Sequence, residues 1–233
     1  GYTGSGGAVS IPPALGGRPV TAIGKDAFRG NRAITELIMP DTITVMQGGT
    51  FRDCASLKKI HLSNSLRRIP VSAFAGCAGL KEVNIPDQTA DLKNGTFEGC
   101  PLTSLHIGKG LRTIRAGAFA RAPYERQRWE QVKARSICRV TVDPENPCLR
   151  ADGCCVLSAD GKTLCAALGE MRQYTVPEGV ETIAEAAFRC LKALTEVTFP
   201  STLIHIGREA FYATGLRSVS FGGNLRTIGD SAF

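Results

Sequence analysis

The sequence is short of the residues from which most catalytic and metal centres are built. Its 233 residues hold three His and one Trp, and aromatics make up 6%. No apolar run approaches the ~20 residues a bilayer-spanning helix needs. No charged segment leads into an apolar stretch of the secretory type. The cysteines include no C-x₂-C pair of the kind that folds around zinc. The Gly-rich start, Gly4-Ser-Gly-Gly7, lacks the strand-to-helix context of a phosphate loop. No nucleophile stands beside a base in any recognisable order. These absences leave no cofactor or metal to predict and argue against an enzyme. What is present is ordinary for a folded chain: 43% hydrophobic, 21% charged, rich in Gly (26) and Pro (12).

The dominant feature is self-similarity. Eight of the ten Phe fall in one series: Phe28, Phe51, Phe74, Phe97, Phe119, Phe188, Phe211 and Phe233. The intervals are 23, 23, 23, 22, 69, 23 and 22, and 69 is three times 23. The residue before each is small, from Ala27 and Thr50 to Ala210 and Ala232. The residue five before is apolar throughout, as in Ile23, Met46, Ile69 and Ile206. The residue eight before is apolar in every copy but one, Thr89. Further upstream stand pairs two apart, such as Ile60/Leu62, Val83/Ile85, Leu105/Ile107 and Val219/Phe221.

Each column has a mechanical meaning. A pair two apart, as in Val83-Asn-Ile85, predicts a short strand with one buried face. Pro often follows (Pro40, Pro86, Pro177, Pro200), and with no N–H to give it ends the ladder. Two apolar residues three apart then lead to a Gly-x-x-Ala-Phe segment, which predicts one turn of helix or 3₁₀. One coil cannot bury its own apolar residues. Stacked coils can, and their strands then lie ~4.8 Å apart in a parallel sheet.

The pattern stands as Val197-Thr-Phe-Pro-Ser-Thr-Leu-Ile-His-Ile-Gly-Arg-Glu-Ala-Phe211 and as Tyr174-Thr-Val-Pro-Glu-Gly-Val-Glu-Thr-Ile-Ala-Glu-Ala-Ala-Phe188. It resembles the BspA-type leucine-rich repeat of bacterial and protist surface proteins. The opening, Ile11-Pro-Pro-Ala-Leu-Gly-Gly-Arg-Pro-Val-Thr-Ala-Ile-Gly24, is similar to the usual first repeat of such arrays. The resemblance implies an α/β solenoid: a right-handed leucine-rich-repeat superhelix with a parallel β-sheet on one face and short helical or 3₁₀ turns and extended segments on the other. It also implies a cell-surface or secreted adhesion-type module that binds a host or cell-surface protein, without membrane insertion by this chain.

We expect a single domain over residues 1–233, about nine coils long. The array is irregular in its middle. From Phe119 the next strand residue, Val140, lies 21 residues on, where other coils need 8 or 9. The added run near 123–136 begins at Pro123 and has no internal Gly or Pro, which predicts an inserted surface helix. A second excursion near 146–170 contains Asp160-Gly161 between apolar runs, a hairpin signal. The chain stops at Phe233, part-way through a coil, so we expect it to continue or to pair end to end with another copy.

Net charge is +7 and concentrates in residues 112–139, where Arg112, Arg115, Arg121, Arg126, Arg128, Lys133, Arg135 and Arg139 face only Glu125 and Glu130. Such a segment is either a polyanion site, with Arg121, Arg126, Arg128, Lys133 and Arg135 binding glycosaminoglycan or nucleic acid, or a solvated helix. Cys54, Cys77 and Cys100 each lie three after a Phe and Cys190 two after, which predicts buried thiols packed as small hydrophobes. Cys138, Cys148, Cys154, Cys155 and Cys165 cluster in the irregular middle, and one disulfide among them stays open.

The remaining candidate surface is the strand face. Its outward residues form two columns, Glu36, Lys59, Glu82, Ser104 and Glu196 in one and Ile38, His61, Asn84, His106 and Thr198 in the other. The inward columns hardly vary while these change from coil to coil. That is the pattern of a protein-binding face on a uniform scaffold, and equally of exposed positions free to drift.

Overall fold

A computed structural model describes residues 6–120, 139–169 and 171–233. The chain winds as a β-solenoid of about nine turns. Most turns contribute a longer strand to a first arm and a two-residue strand to a second. On the first arm Gly7–Ser10, Ile34–Ile38 and Lys59–His61 form one parallel ladder. Glu82–Ile85, Ser104–Ile107 and Arg139–Val142 form another, and Gln173–Thr175 with Glu196–Thr198 a third. On the second arm Ala22–Ile23 pairs with Val45–Met46, and Asp91–Leu92 lies between Arg68–Ile69 and Thr113–Ile114. The last second-arm ladder runs from Thr163–Ala167 through Thr182–Ile183 and His205–Ile206 to Thr227–Ile228. Alternation explains the first-arm strands: in Glu82–Ile85, Val83 and Ile85 are buried while Glu82 and Asn84 are exposed. Val219 and Phe221 carry the same spacing but stand in a stretch with no strand. Phe221 instead lays its ring on Phe199, 5.3 Å away.

The Phe series forms the spine. Phe28, Phe51, Phe74, Phe97 and Phe119 stack with centroid spacings of 4.9, 5.5, 5.4 and 5.7 Å and interplanar angles of 12° or less. Phe188, Phe211 and Phe233 form a second stack at 4.8 and 5.2 Å. Polar residues in core columns are satisfied locally. Thr89 donates its hydroxyl to Leu66 O at 2.7 Å, and Thr96, in the small-residue column, donates to Lys93 O at 2.6 Å.

The turn before each Phe is not helical, which corrects the expected helix or 3₁₀ segment: no helix occurs among the described residues. The reason lies in the backbone. The residue two before every Phe of the series is left-handed: Asp26, Gly49, Ser72, Gly95, Gly117, Ala186, Glu209 and Ser231 have φ between 51° and 67°. A second left-handed residue stands two after most of these Phe, as at Gly30, Asp53, Gly76, Gly99, Cys190 and Ala213. A helix needs successive φ near −60°, so the sign change on both sides of the ring forbids it. The Phe N–H is also spent elsewhere. It donates to the next coil, Phe51 N to Ala73 O at 2.8 Å and Phe211 N to Ala232 O at 2.6 Å, rather than back along its own turn. The corner is thus a hydrogen-bonded ladder of tight turns.

Between the two stacks the chain makes an antiparallel meander of Leu149–Asp152, Cys155–Ser158 and Thr163–Ala167. Its central strand is buried on both faces, while Arg150 on the first strand is exposed. Leu149, Val156, Ala166 and Leu168 join the core around the first stack, and Cys155, Leu157, Leu164 and Ala167 join the core around the second. Asn146 fastens the meander to the preceding coil. Its Nδ2 donates to Gly108 O and Leu111 O at 2.9 and 3.0 Å, and its Oδ1 accepts from Cys148 N and Leu149 N, both at 2.9 Å. All four hydrogen-bonding positions of this buried amide are filled. Tyr174 donates its hydroxyl to Asp152 Oδ2 at 2.9 Å and tilts its ring on Phe188. The run near 123–136, read from sequence as an inserted helix, lies outside the described residues.

Candidate functional site

The first-arm face carries the two outward columns side by side. Glu36 pairs in register with Lys59 and Ile38 with His61; Glu82 faces Ser104 and Asn84 faces His106; Glu196 faces Gln173 and Thr198 faces Thr175. Ile38, Lys59, His61, Glu82, Asn84, His106, Glu196 and Thr198 are exposed, and Glu36 and Ser104 are half-buried. Polar contacts run from coil to coil. His61 Nε2 lies 3.4 Å from Glu36 Oε1, His106 Nδ1 lies 2.9 Å from Thr141 Oγ1, and Gln173 Nε2 donates to Glu196 Oε2 at 2.8 Å. These side chains are held by a fixed backbone ladder, so little ordering would accompany contact with a partner.

The basic segment is divided. Arg121, Arg126, Arg128, Lys133 and Arg135 lie outside the described residues. Arg112 and Arg115 are exposed on the second arm, while Arg139 opens a first-arm strand opposite Ser104. Arg67 and Arg68 are exposed on the same second arm as Arg112 and Arg115, with one rung, that of Asp91, between them. Asp91 forms an ion pair with Lys93. Sequence reasoning passed over Arg67 and Arg68, although Arg67 shares a repeat column with Arg112.

The thiols behave as small core side chains. Cys54, Cys77, Cys100 and Cys190 are buried, and Cys54, Cys77, Cys100, Cys148, Cys165 and Cys190 are free thiols. Cys54, Cys77 and Cys100 point their Sγ at the carbonyls of Phe28, Phe51 and Phe74 in the preceding coils, at 3.0–3.1 Å. Burial pushes the Cys54 and Cys165 thiols up to about 11 and the Cys77 thiol well above its usual range. Little thiolate exists at neutral pH, so these are poor nucleophiles and poor metal ligands. No group of three or more His, Cys, Asp or Glu placed to hold a metal ion occurs among the described residues.

A further concavity, not foreseen from sequence, lies at the corner where the two Phe stacks approach. It encloses about 210 Å³ between Ser72, Gly95, Glu98 and Gly117 on one side and Glu185, Arg189, Arg208 and Glu209 on the other. Glu98 is 6% exposed. Burial raises its carboxyl from 4.5 to about 7, against the pull of Arg189 and Arg52. The sequence signal was faint: Glu98 is the one acidic residue in the column just after Phe.

Ladders of like residues, a parallel sheet on one arm and turns at each corner define a leucine-rich-repeat solenoid. The model of the BspA type leucine rich repeat region matches six copies over residues 15–124 and 162–233, and the chain belongs to that family. Solved structures agree on the fold. The pneumococcal vaccine antigen PcpA superposes with a TM-score of 0.64 at 18% identity, over 96% of this chain and 63% of that one. A leucine-rich repeat protein from Eubacterium ventriosum gives 0.63 at 18%, over 91% and 62%. A leucine rich cell surface protein from Faecalibacterium prausnitzii gives 0.51 at 21%, over 100% and 74%. The chain therefore spans less than two thirds of the first two. No curated protein matches the sequence. Leucine-rich-repeat proteins are in general protein-interaction modules, typically without catalytic activity. No helix among the described residues is long and apolar enough to cross a membrane.

Proposed function

We propose that the first-arm face binds a protein ligand and that the chain serves as an adhesion-type module at a bacterial cell surface. The observation that carries this reading is the pair of exposed columns, Glu36, Lys59, Glu82, Ser104 and Glu196 beside Ile38, His61, Asn84, His106 and Thr198. They differ from rung to rung above invariantly apolar columns. A rigid ladder presenting varied side chains favours a large, shape-specific contact over a small pocket. The cell-surface naming of one structural neighbour supports the location.

A second reading rests on Arg67, Arg68, Arg112 and Arg115, exposed within three adjacent rungs of the second arm. With Arg121, Arg126, Arg128, Lys133 and Arg135 they could hold a sulfated or phosphorylated polymer, and such binding collapses with salt.

One experiment separates the two. Beads coated with the chain are applied to epithelial cells and to immobilised heparin, with and without added salt. The first reading expects salt-tolerant cell adherence, abolished by Ile38→Asp with His61→Asp and His106→Asp. The second expects heparin retention that falls steeply with salt and is lost on reversing Arg67, Arg68, Arg112 and Arg115 to Glu. Adherence unchanged by the first-arm substitutions would sink the first reading.

A further inference from the structure

The corner cleft contains an imbalance that the packing of the solenoid does not explain. Three carboxylates line it, Glu98, Glu185 and Glu209, against two guanidiniums, Arg189 and Arg208. Both guanidiniums bind Glu209: Arg189 Nε lies 3.2 Å from its Oε2, and Arg208 donates to its Oε1 at 3.0 Å. Glu98 Oε1 is buried and has no hydrogen-bond partner. Buried carboxyl oxygens are costly to leave without a donor, and native structures rarely do so without a functional reason. The space beside Glu98 is kept open by glycine. A Cβ on Gly95 would stand 3.1 Å from Glu98 Oε2 and 3.5 Å from Ser72 Oγ, and one on Gly117 would stand 3.8 Å from a terminal nitrogen of Arg189. Other rungs fill the same left-handed position with Asp26, Ser72, Ala186 or Glu209.

We propose that this cleft binds an alkylammonium group, with the Glu98 carboxylate as counter-ion and the Ser72 hydroxyl as a second acceptor. A single orphaned oxygen suits a compact, multiply donating ammonium. The planar fork of a guanidinium would need both oxygens presented together. With three carboxylates to two guanidiniums, the lining favours a cation over an anion. The volume accommodates a small head group and a short alkyl stem, with Val71, Ala116 and Ala186 supplying apolar wall. This site is on a corner of the solenoid and stands or falls independently of the first-arm face.

Binding also moves a proton. Burial opposes the charged form of Glu98 while Arg189 and Arg52 favour it; Glu185 and Glu209 line the same cleft and Cys190 lies nearby. Its carboxyl is about half protonated near pH 7. An arriving cation stabilises the carboxylate and expels that proton.

The test is calorimetric titration of the full chain at pH 7 with n-butylammonium chloride and with Nα-acetyl-lysine amide. Tetramethylammonium chloride serves as a cation without N–H donors. Saturable binding of at least one of the first two is expected, with proton release seen as a heat that varies with the buffer's ionisation enthalpy. Glu98→Gln should weaken it about tenfold or more and remain folded by circular dichroism. Binding of both probes identifies the source as any primary amine. Binding of the blocked lysine alone identifies a lysine side chain on a protein. The proposal is overturned by an absence of saturable binding at millimolar concentration, by equal binding of tetramethylammonium, or by unchanged affinity in the folded Glu98→Gln chain.

Discussion

Replacing Asn146 with Asp changes one nitrogen to an oxygen and leaves the shape of the side chain intact. The two bonds received by Oδ1 from Cys148 N and Leu149 N survive. The two given by Nδ2 do not, and the new oxygen faces the carbonyls of Gly108 and Leu111 from 2.9 and 3.0 Å. A buried acceptor stripped of its donor costs about 1–3 kcal/mol, so two cost about 2–6 kcal/mol before any charge is counted. Ionisation of the new carboxyl, 7% exposed in the native residue, adds to this because the charge would be buried against two carbonyl oxygens. Its folded pKa therefore lies above the ordinary Asp value. The charge penalty is absent below the unfolded pKa of ~3.9 and grows as pH rises through the folded pKa. Urea denaturation of Asn146→Asp and of Asn84→Asp, an exposed control, should show a large loss for the first at pH 7.5. That loss should shrink at pH 4, with a change within about 0.5 kcal/mol for the control. Equal midpoints for the two variants, or a deficit that deepens on acidification, would show that the amide does not lock the meander to the preceding coil.

Two further outcomes can be checked by denaturation. Phe74→Ala empties a fully buried position between Phe51 and Phe97 and should cost about 3–5 kcal/mol, while Ser104→Ala should cost almost nothing; similar midpoints would refute the column assignment. Glu98 carries a folded pKa of about 7 against 4.5, so its burial removes stability as pH rises from 4.5 through 7. Glu98→Gln should therefore gain roughly 1–3 kcal/mol over the native chain at pH 8 and nothing at pH 4, a difference read from urea midpoints.

The repeat columns were legible because each encodes burial directly. A ring every 22 or 23 residues has one way to leave water when a single coil cannot enclose it. The corner backbone was not legible. Left-handed φ is usually announced by Gly, but here Asp26, Ser72, Ala186 and Glu209 adopt it under the constraint of the inter-coil ladder, so a short helix was the natural reading. The cleft was hidden for a different reason. Glu98 and Arg189 share the column just after Phe, but the meander lies between their coils in sequence, so the repeat spacing does not bring them to one cleft. Arg67 was within reach of sequence reasoning, since the column that holds Arg112 already contained it, and Arg68 is its chain neighbour.

The meander gives the array a place where its count can reset. Val156 and Leu157 join cores on opposite sides, so the meander separates the two aromatic columns and they need not stay in phase. Loss or duplication of a 23-residue unit on one side would leave the far side undisturbed. The length of either half can thus drift over generations without the other having to be rebuilt.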